Sequence, residues 1–350
     1  MKILVHEWVT GGGLTGMPLP AVWAREGRAM RLAVLDDLRM IDGVEPVVTL
    51  DPRFAHEAGP WASVVVVAGR EEDTLTRLAR ECDYTLIIAP ETAGTLAMLT
   101  GLVEESGGTP LGSTPGAIAL AADKHRLAAF LLKRGIPALP AEWYDRSSST
   151  PPSFGYPAVV KPVDGAGSLD TFLLTGPGDH PTPTSWAGDL IIQPFYPGDS
   201  MSASYLVGAD GRVVLLGVGW QDVEVRDGRF VYRGGRLPGP AALGLGEPLQ
   251  AVQAVRGLRG FVGVDFIRQG ESERTLVVEI NPRITTSYLG LRRLYPAGAL
   301  ARAWIEAARG GSVSATLQPL DPMPAPGSLQ FRDDGTIVPE PGEADGRIAD

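Results

Sequence analysis

The sequence predicts an α/β protein whose first third holds a parallel sheet and whose remainder is α+β and mainly antiparallel. Three observations carry this. Up to about residue 112, short apolar runs alternate with helix-length segments, the pattern of buried parallel strands and their crossover helices. Beyond it, strand-length runs follow one another with little more than turn residues between them. The 350 residues are 44% hydrophobic and 21% charged, an ordinary globular balance with length for roughly two to three domains.

The elements follow in order. Ile3 to Val5 is a first strand. A helix is expected from about Leu19 to Ile41, because Trp23, Met30, Val34, Leu38 and Ile41 return to one face and Pro18 and Pro20 suit its start. Glu45 to Leu50 is a second strand, "ASVVVVAG" a third and "DYTLIIAPE" a buried fourth. "AGTLAMLTGLVEESGG" is a helix stopped by Gly107 and Gly108. Thr114 then caps, and Pro115 opens, one helix that runs to Gly135 and Pro137. "PAVVKPVDGAGS" is a strand entering a glycine-rich turn, flanked by the loops "RSSSTPPS" and "TGPGDHPTPTS". "DLIIQPFYPGDSMSASYLVG" gives two strands about a turn, and "GRVVLLGVGWQDVEV" and "RFVYRGG" continue the antiparallel region. "LQAVQAVRGL" is a helix, "FVGVDFIRQGESERTLVVEINPR" a hairpin and "GALARAWIEAARGG" a last helix. From Ser312 the chain is rich in Pro, Gly and acid, which suits a loosely ordered strand and tail. No internal repeats are evident.

Charge and composition exclude several classes. The net charge is −10 and there is no Lys/Arg run, so nucleic acid and anionic membrane surfaces are not expected partners. Cys82 is the only cysteine; it permits no intramolecular disulfide or thiolate cluster and reads as an inert buried thiol. Only three apolar residues precede His6 and Glu7, and no apolar run nears the ~20 residues of a membrane span, so a soluble cytoplasmic protein is expected. His6, His56, His125 and His180 are scattered, and no Ser/His/Asp or Cys/His set emerges.

The opening "MKILVHEWVTGGGLTG" sets Gly11, Gly13 and Gly16 in G-x-G-x-x-G register behind the first strand. That is the dinucleotide fingerprint, and it keeps a nicotinamide or flavin oxidoreductase open. Such a site needs an acid at the end of the second strand, about 20 residues on. Asp36 and Asp37 stand at that distance but inside the expected helix, and Asp51 follows a strand too late.

The most informative stretch is "VGVDFIRQGESERTLVVEINPR". Strand alternation puts Val277, Glu279 and Asn281 on one face and Leu276, Val278 and Ile280 on the other, with the second set toward the core. Asp265 lies on the preceding strand, so Asp265, Glu279 and Asn281 can converge. Two close carboxylates need a proton or a cation between them. Oxygen donors without His or Cys suit Mg²⁺, and Arg283 adds a cation fit for phosphate. A paired-carboxylate glycosidase and two acids at a solvated sheet edge are the alternatives. Lys161 ends the strand before Gly165, Ala166, Gly167 and Ser168, a turn whose amides can wrap phosphate. It is not a Walker loop, because the lysine precedes the glycines. Alone, the turn reads equally well as an ordinary β-turn, and Lys124 as a surface lysine.

Taken in order, "DKHRLAAFLLKRGIP", "PAVVKPVDGAGS", "IIQPFYPGDSMS", "GVDFI" and "VVEINPR" resemble the ATP-grasp superfamily of carboxylate–amine ligases over roughly Ser113 to Gly311. The resemblance implies an N-terminal α/β pre-ATP-grasp domain (1–112), a small nucleotide-lid subdomain (113–192), a large subdomain with the metal site (193–311) and a C-terminal strand and tail (312–350). By the same resemblance Lys124 and Lys161 hold the nucleotide phosphates, Gly165 to Ser168 cover them, and Gln193, Pro194, Phe195 and Tyr196 form the hinge that reads adenine. Asp265, Glu279 and Asn281 would ligate two Mg²⁺ ions, with Mn²⁺ able to substitute, and Arg283 would touch the transferred phosphoryl group. Catalysis would rest on Arg283, Lys161 and Glu279. The family commonly has Glu where Gln193 stands, and an acid for the ribose where Ser200 stands next to Asp199.

The implied reaction phosphorylates a carboxylate with ATP and lets an amine displace the phosphate, so the partners are a small-molecule carboxylate and amine, with a homodimer allowed. "EINPRITTSYLGL", "LIIAPET" and "VHEWVTGGG" look most like the branch that includes the tyramine–glutamate ligase of methanofuran-type cofactor synthesis. That branch would put Glu7, Gly11, Gly12, Gly13, Glu91, Thr285, Thr286 and Ser287 near substrates, with "WQDVEV" and "YRGG" lining the acceptor side. The opening glycines then read as a substrate-side loop facing the site across a cleft, or as a tight turn without a ligand. A grasp-type kinase and a non-catalytic ATP-binding protein stay open.

Overall fold

The computed structural model describes residues 1–57, 63–67, 69–147, 150–181, 188–240, 243–270, 274–311 and 317–338. The first part runs β1 (Lys2–Glu7), α1 (Trp8–Gly11), α2 (Ala21–Leu38), β2 (Glu45–Leu50), β3 (Ser63–Val66), α3 (Glu71–Glu81), β4 (Tyr84–Ile88) and α4 (Thr95–Glu105). Its sheet has the order β3-β2-β1-β4, and every pairing is parallel. The buried strands Ile3 to Val5 and Leu86 to Ile88 are the apolar runs of the sequence, covered on both faces by helices.

The second part runs α5 (Pro115–Ala122), α6 (Lys124–Leu132), β5 (Glu142–Trp143), β6 (Ala158–Pro162), β7 (Phe172–Leu174), β8 (Leu190–Pro194), β9 (Asp199–Val207), β10 (Val213–Arg226) and β11 (Arg229–Leu237). It continues with α7 (Gly246–Ala254), β12 (Gly260–Gln269), β13 (Arg274–Asn281), α8 (Ser287–Leu291), α9 (Ala299–Ala308), β14 (Leu329–Arg332) and β15 (Ile337–Val338). Its strands form one sheet in the order β13-β12-β9-β10-β11-β7-β6-β8-β5, with β14 also paired to β11 and β15 to β14.

Four local features depart from the sequence reading. The single helix expected from Thr114 to Gly135 is two, because Asp123 leaves helical geometry (φ −82°, ψ 94°) and its carboxylate caps α6 at Arg126 N. The helices α1 and α3 were not anticipated; α3 opens with Glu71, Glu72 and Asp73, acids that favour a helix N-terminus. A β-bulge at Val278 breaks the alternation in β13: Asp265 pairs with Glu279 but Phe266 with Val277. The core-facing set is therefore Thr275, Val277 and Ile280, not Leu276, Val278 and Ile280. In the C-terminal segment, β14 is paired into the large sheet rather than loose, while 339–350, and 271–273 of the hairpin loop, lie outside the described residues.

Two contacts position the N-terminal part over the large sheet. Asp37 of α2 accepts hydrogen bonds from Tyr288 Oη (2.5 Å) and from Arg292 Nη2 (2.6 Å) and Nε (3.0 Å), which fixes α2 against α8. After β4, Thr92 Oγ1 and Ala93 N donate to the backbone and carboxylate oxygens of Asp164, at 3.0 and 2.8 Å. That ties the N-terminal sheet to the base of the glycine turn at 164–169. Among the described residues no helix is long and apolar enough to cross a membrane.

Candidate functional site

The register of β12 and β13 sets Asp265 opposite Glu279 and Gly263 opposite Asn281. The three polar side chains meet on the cleft side, where Asn281 Nδ2 donates to Asp265 Oδ2 at 3.2 Å. The bulge makes this possible, since Val278 takes the unpaired position and Glu279 is turned toward the cavity.

Two lysines answer the two carboxylates. Lys124 is the first residue of α6, so the Asp123 cap that splits the helix also aims its side chain. Its Nζ lies 3.3 Å from Glu279 Oε2 and donates to Gly165 O at 2.6 Å. Lys161, at the end of β6, is buried and faces the same acids. Burial pushes the Lys161 ammonium down to about 8, helped by Lys124 and opposed by Glu279 and Asp265. Asp265 is raised to about 7 by burial and by the Glu279 charge, against hydrogen bonds from Ser202 and Gln221. Burial would raise Glu279 too, but Lys124 and Lys161 outweigh it and hold the carboxyl well below its usual range. Glu279 is thus the more acidic of the pair and Asp265 the less.

Can this donor set hold a metal? Among the described residues no three His, Cys, Asp or Glu side chains converge. The set is two carboxylates and one amide, all oxygen-bearing and all on the wall of one cavity. That fits a hard cation retaining water or phosphate oxygens, as Mg²⁺ does, and not a closed structural site.

Arg283 follows two residues after Asn281, with its side chain 12% exposed. Its Nη1 donates to Ile284 O at 3.1 Å and its Nη2 to Glu91 Oε2 at 2.8 Å, while its Nε has no hydrogen-bond partner. On the facing wall Tyr232 Oη and Thr286 Oγ1 are 2.9 Å apart, and Ser287 Oγ lies 2.7 Å from Thr285 Oγ1 and 3.2 Å from Ser204 Oγ. At the hinge, Gln193 Nε2 donates to Leu139 O at 3.1 Å, and its Oε1 is buried without a partner.

These groups line one cavity of about 270 Å³. Lys124, Lys161, Gly165, Gly167, Ser168, Gln193, Pro194, Phe195, Tyr196, Ser200, Asp265, Glu279, Asn281, Arg283, Thr285, Thr286 and Ser287 all reach it. Trp220, Gln221, Val223 and Tyr232 bring in the "WQDVEV" and "YRGG" segments. Ala166 and Glu7 line a smaller side compartment that opens beside it. Asp199 is not on the wall; its carboxylate is largely exposed and pairs with Arg268 at 4.0 Å. Glu91 is on neither wall and meets the site through Arg283.

Nor does the structure bring Gly11, Gly12 or Gly13 to either cavity. A Cβ at these positions would lie 2.9 Å from Thr49 Oγ1, 2.7 Å from Val67 Cβ and 2.0 Å from Trp8 Nε1, so close packing accounts for the glycines. Glu7 accepts hydrogen bonds from Val9 N and Thr10 N at the start of the four-residue α1. The amides a dinucleotide phosphate would need are thereby taken.

Sequence reasoning missed Glu26 of α2, which lines both cavities, and Ser202 and Ser204 of β9. The signal for Glu26 was present: it shares the helix stripe of Trp23 and Met30, where a carboxylate is out of place.

Residues 121–287 match the family model described as ATP-grasp domain, and residues 44–118 the one described as pre ATP-grasp 3 domain. The chain is 28% identical over 276 residues to the tyramine–L-glutamate ligase of Methanocaldococcus fervens, which covers 76% of this chain and 82% of that one. It is 27% identical over 296 residues to the enzyme of the same name from Methanocaldococcus jannaschii, covering 83% and 84%. The crystal structure of an ATP-grasp superfamily protein from Archaeoglobus fulgidus superposes with a TM-score of 0.65 at 26% identity, over 89% of each chain. With the two matched domains in family order and this fold beneath them, the chain belongs to the ATP-grasp superfamily, and the curated relatives it resembles are ligases.

Proposed function

We propose that this ATP-grasp ligase forms an amide between a small carboxylate and an amine through an acyl phosphate, releasing ADP and phosphate. The observation that carries the reading is the convergence of Lys124, Lys161, Asp265, Glu279, Asn281 and Arg283 on one cavity. Lys124 and Lys161 neutralise the nucleotide phosphates, and the turn from Gly165 to Ser168 lays its backbone over them. Gln193 to Tyr196 hold adenine, and Ser200 is better placed than Asp199 for the ribose. Asp265, Glu279 and Asn281 would hold Mg²⁺, which when bound would supply neutralisation of the nucleotide's phosphate charge. Arg283, oriented by Glu91, faces the phosphoryl group as it passes to the substrate carboxylate. No protein nucleophile takes part; positioning and fixed charge do the chemistry.

For the substrates we infer L-glutamate as the carboxylate and an aromatic amine such as tyramine as the acceptor, in the assembly of a methanofuran-type cofactor. The support is the pair of ligases above, whose names state those substrates and whose lengths this chain largely spans. The test pairs amino-acid carboxylates with aromatic and aliphatic amines and weighs the products. A product of glutamate plus tyramine less water is expected, and turnover only with unrelated pairs would overturn the substrate assignment.

A further inference from the structure

The side compartment lies between α2, the end of β4 and the glycine turn, and joins the main cavity at Glu26, Met30, Gly167, Leu169 and Arg283. Its wall is largely apolar: Val22, Trp23, Met30, Ile88 and Pro90. Glu7, Glu26 and Arg283 are the charged exceptions. Glu7 is committed to Val9 N and Thr10 N, and Arg283 to Glu91 and Ile284 O, while Glu26 stands where the two spaces meet. Its carboxylate is 3.9 Å from where a Cβ on Gly167 would be, at the tip of the turn. Among the described residues no hydrogen bond reaches it, and Arg283 and Arg25 act on it only through space. Glu26 is half-buried and its carboxylate lies on the wall of both spaces, where the cation of a ligand can reach it.

The compartment is about 50 Å³, less than an aromatic ring needs, but it opens into the main cavity. We propose that the acceptor amine lies across this opening, its apolar or aromatic body against Trp23 and Met30 and partly in the main cavity, and that Glu26 binds its ammonium group and takes its proton. The proposal rests on the ligase reading above. It moves the acceptor from the β10–β11 wall, which is left to the carboxylate substrate. The step balances as follows. One ammonium proton passes to Glu26, and the freed nitrogen lone pair forms the C–N bond to the acyl carbon. The C–O bond to phosphate breaks, its electron pair leaves with phosphate, and the second N–H proton leaves with it. Burial, with Asp333 adding to it and Arg283 and Arg25 opposing, raises Glu26 to about 7, which suits a base that works near neutrality. Tyr232 faces it across the cavity and Glu7 lines the same compartment; burial keeps the phenol neutral and raises the Glu7 carboxyl against its bonds from Thr10 and Val9.

The test uses the whole protein with ATP, Mg²⁺ and L-glutamate, and either hydroxylamine or tyramine as acceptor. Hydroxylamine is uncharged at neutral pH and needs no base, so hydroxamate reports acyl phosphate alone. Glu26→Gln is expected to keep at least half the hydroxamate rate and to lose about 100-fold or more in tyramine amide formation. Its residual amide rate should climb about tenfold per pH unit as free amine accumulates, while wild type does not. Trp23→Ala should raise KM for tyramine about tenfold and leave hydroxamate formation alone. Wild-type amide rates in Glu26→Gln at pH 7, or equal loss of hydroxamate and amide, would overturn the role of Glu26 and leave the ligase reading standing. Absence of hydroxamate from the wild-type protein would overturn both.

Discussion

Gln193 offers a nearly isosteric probe of the proposed nucleotide site. Its amide is oriented by the bond from Nε2 to Leu139 O, which leaves Oε1 buried and without a donor in the nucleotide-free protein. An unmade bond at a buried acceptor costs about 1–3 kcal/mol. The exocyclic amine of adenine can supply that bond, so nucleotide binding recovers this energy. Tenfold corresponds to about 1.4 kcal/mol, so the interaction is worth roughly 5- to 150-fold in preference for ATP over a nucleotide lacking the amine. The assay is the ratio of kcat/KM for ATP to that for purine riboside triphosphate, in wild type and in Gln193→Leu. Leucine removes Oε1 and also the bond to Leu139 O, but the second loss weakens both nucleotides alike and cancels in the ratio. The ratio is expected to fall at least fivefold in the variant. An unchanged ratio would refute the placement of adenine at this hinge.

Lys124→Met removes a charge 3.3 Å from Glu279, an attraction of about 1 kcal/mol in bulk water and about 5 kcal/mol at an effective dielectric of 20. KM for ATP should rise tenfold or more, measured by coupled ADP release. Asp51 accepts hydrogen bonds from Arg53 and Thr15, and Arg53 also donates to Leu14 O and Met17 O, so this pair holds the opening glycine loop. Those bonds, with burial opposing, hold the Asp51 carboxyl down to about 2. A depressed carboxyl stabilises the fold above its unfolded value of 3.8, and the contribution is lost as pH falls through about 2. Asp51 is shut off from solvent but Arg53 is 39% exposed, so the screened figure is about 1–2 kcal/mol. Denaturant melts should show Asp51→Asn weaker by that amount at pH 7, with the gap narrowing below pH 3.8. Gly13→Ala drives a Cβ to 2.0 Å from Trp8 Nε1 and should cost about 1–3 kcal/mol in the same melts, with KM for every substrate unchanged.

How much of this was legible depended on whether the cause was local. The parallel sheet was legible because β1, β2 and β4 are buried along nearly their whole length, and Glu45–Leu50 was delimited to the residue. The Asp265–Glu279 convergence was legible because antiparallel pairing follows from a short hairpin loop. Its bulge was not, since nothing in "LVVEIN" marks Val278 as the unpaired residue; the neighbouring strand decides that. The break at Asp123 was readable in principle as a second cap. It was masked by good helix formers on both sides. The glycine triplet misled in the opposite way: its spacing mimics a phosphate loop, while Gly11 answers to Thr49, Gly13 to Trp8, and Gly16 to its own positive φ of 80°. Glu91 reads as a substrate contact in sequence and turns out to orient Arg283, a pairing across 192 positions that no local pattern encodes.

The central claim is that one cavity couples ATP cleavage to joining a carboxylate and an amine. The most direct test follows ADP, phosphate and amide together, with each substrate omitted in turn, in wild type and Glu279→Gln. The account expects the three products in equal amounts only when ATP, Mg²⁺, carboxylate and amine are all present, and none above background in the variant. Full turnover by Glu279→Gln, or ADP release that proceeds equally without the carboxylate, would contradict it.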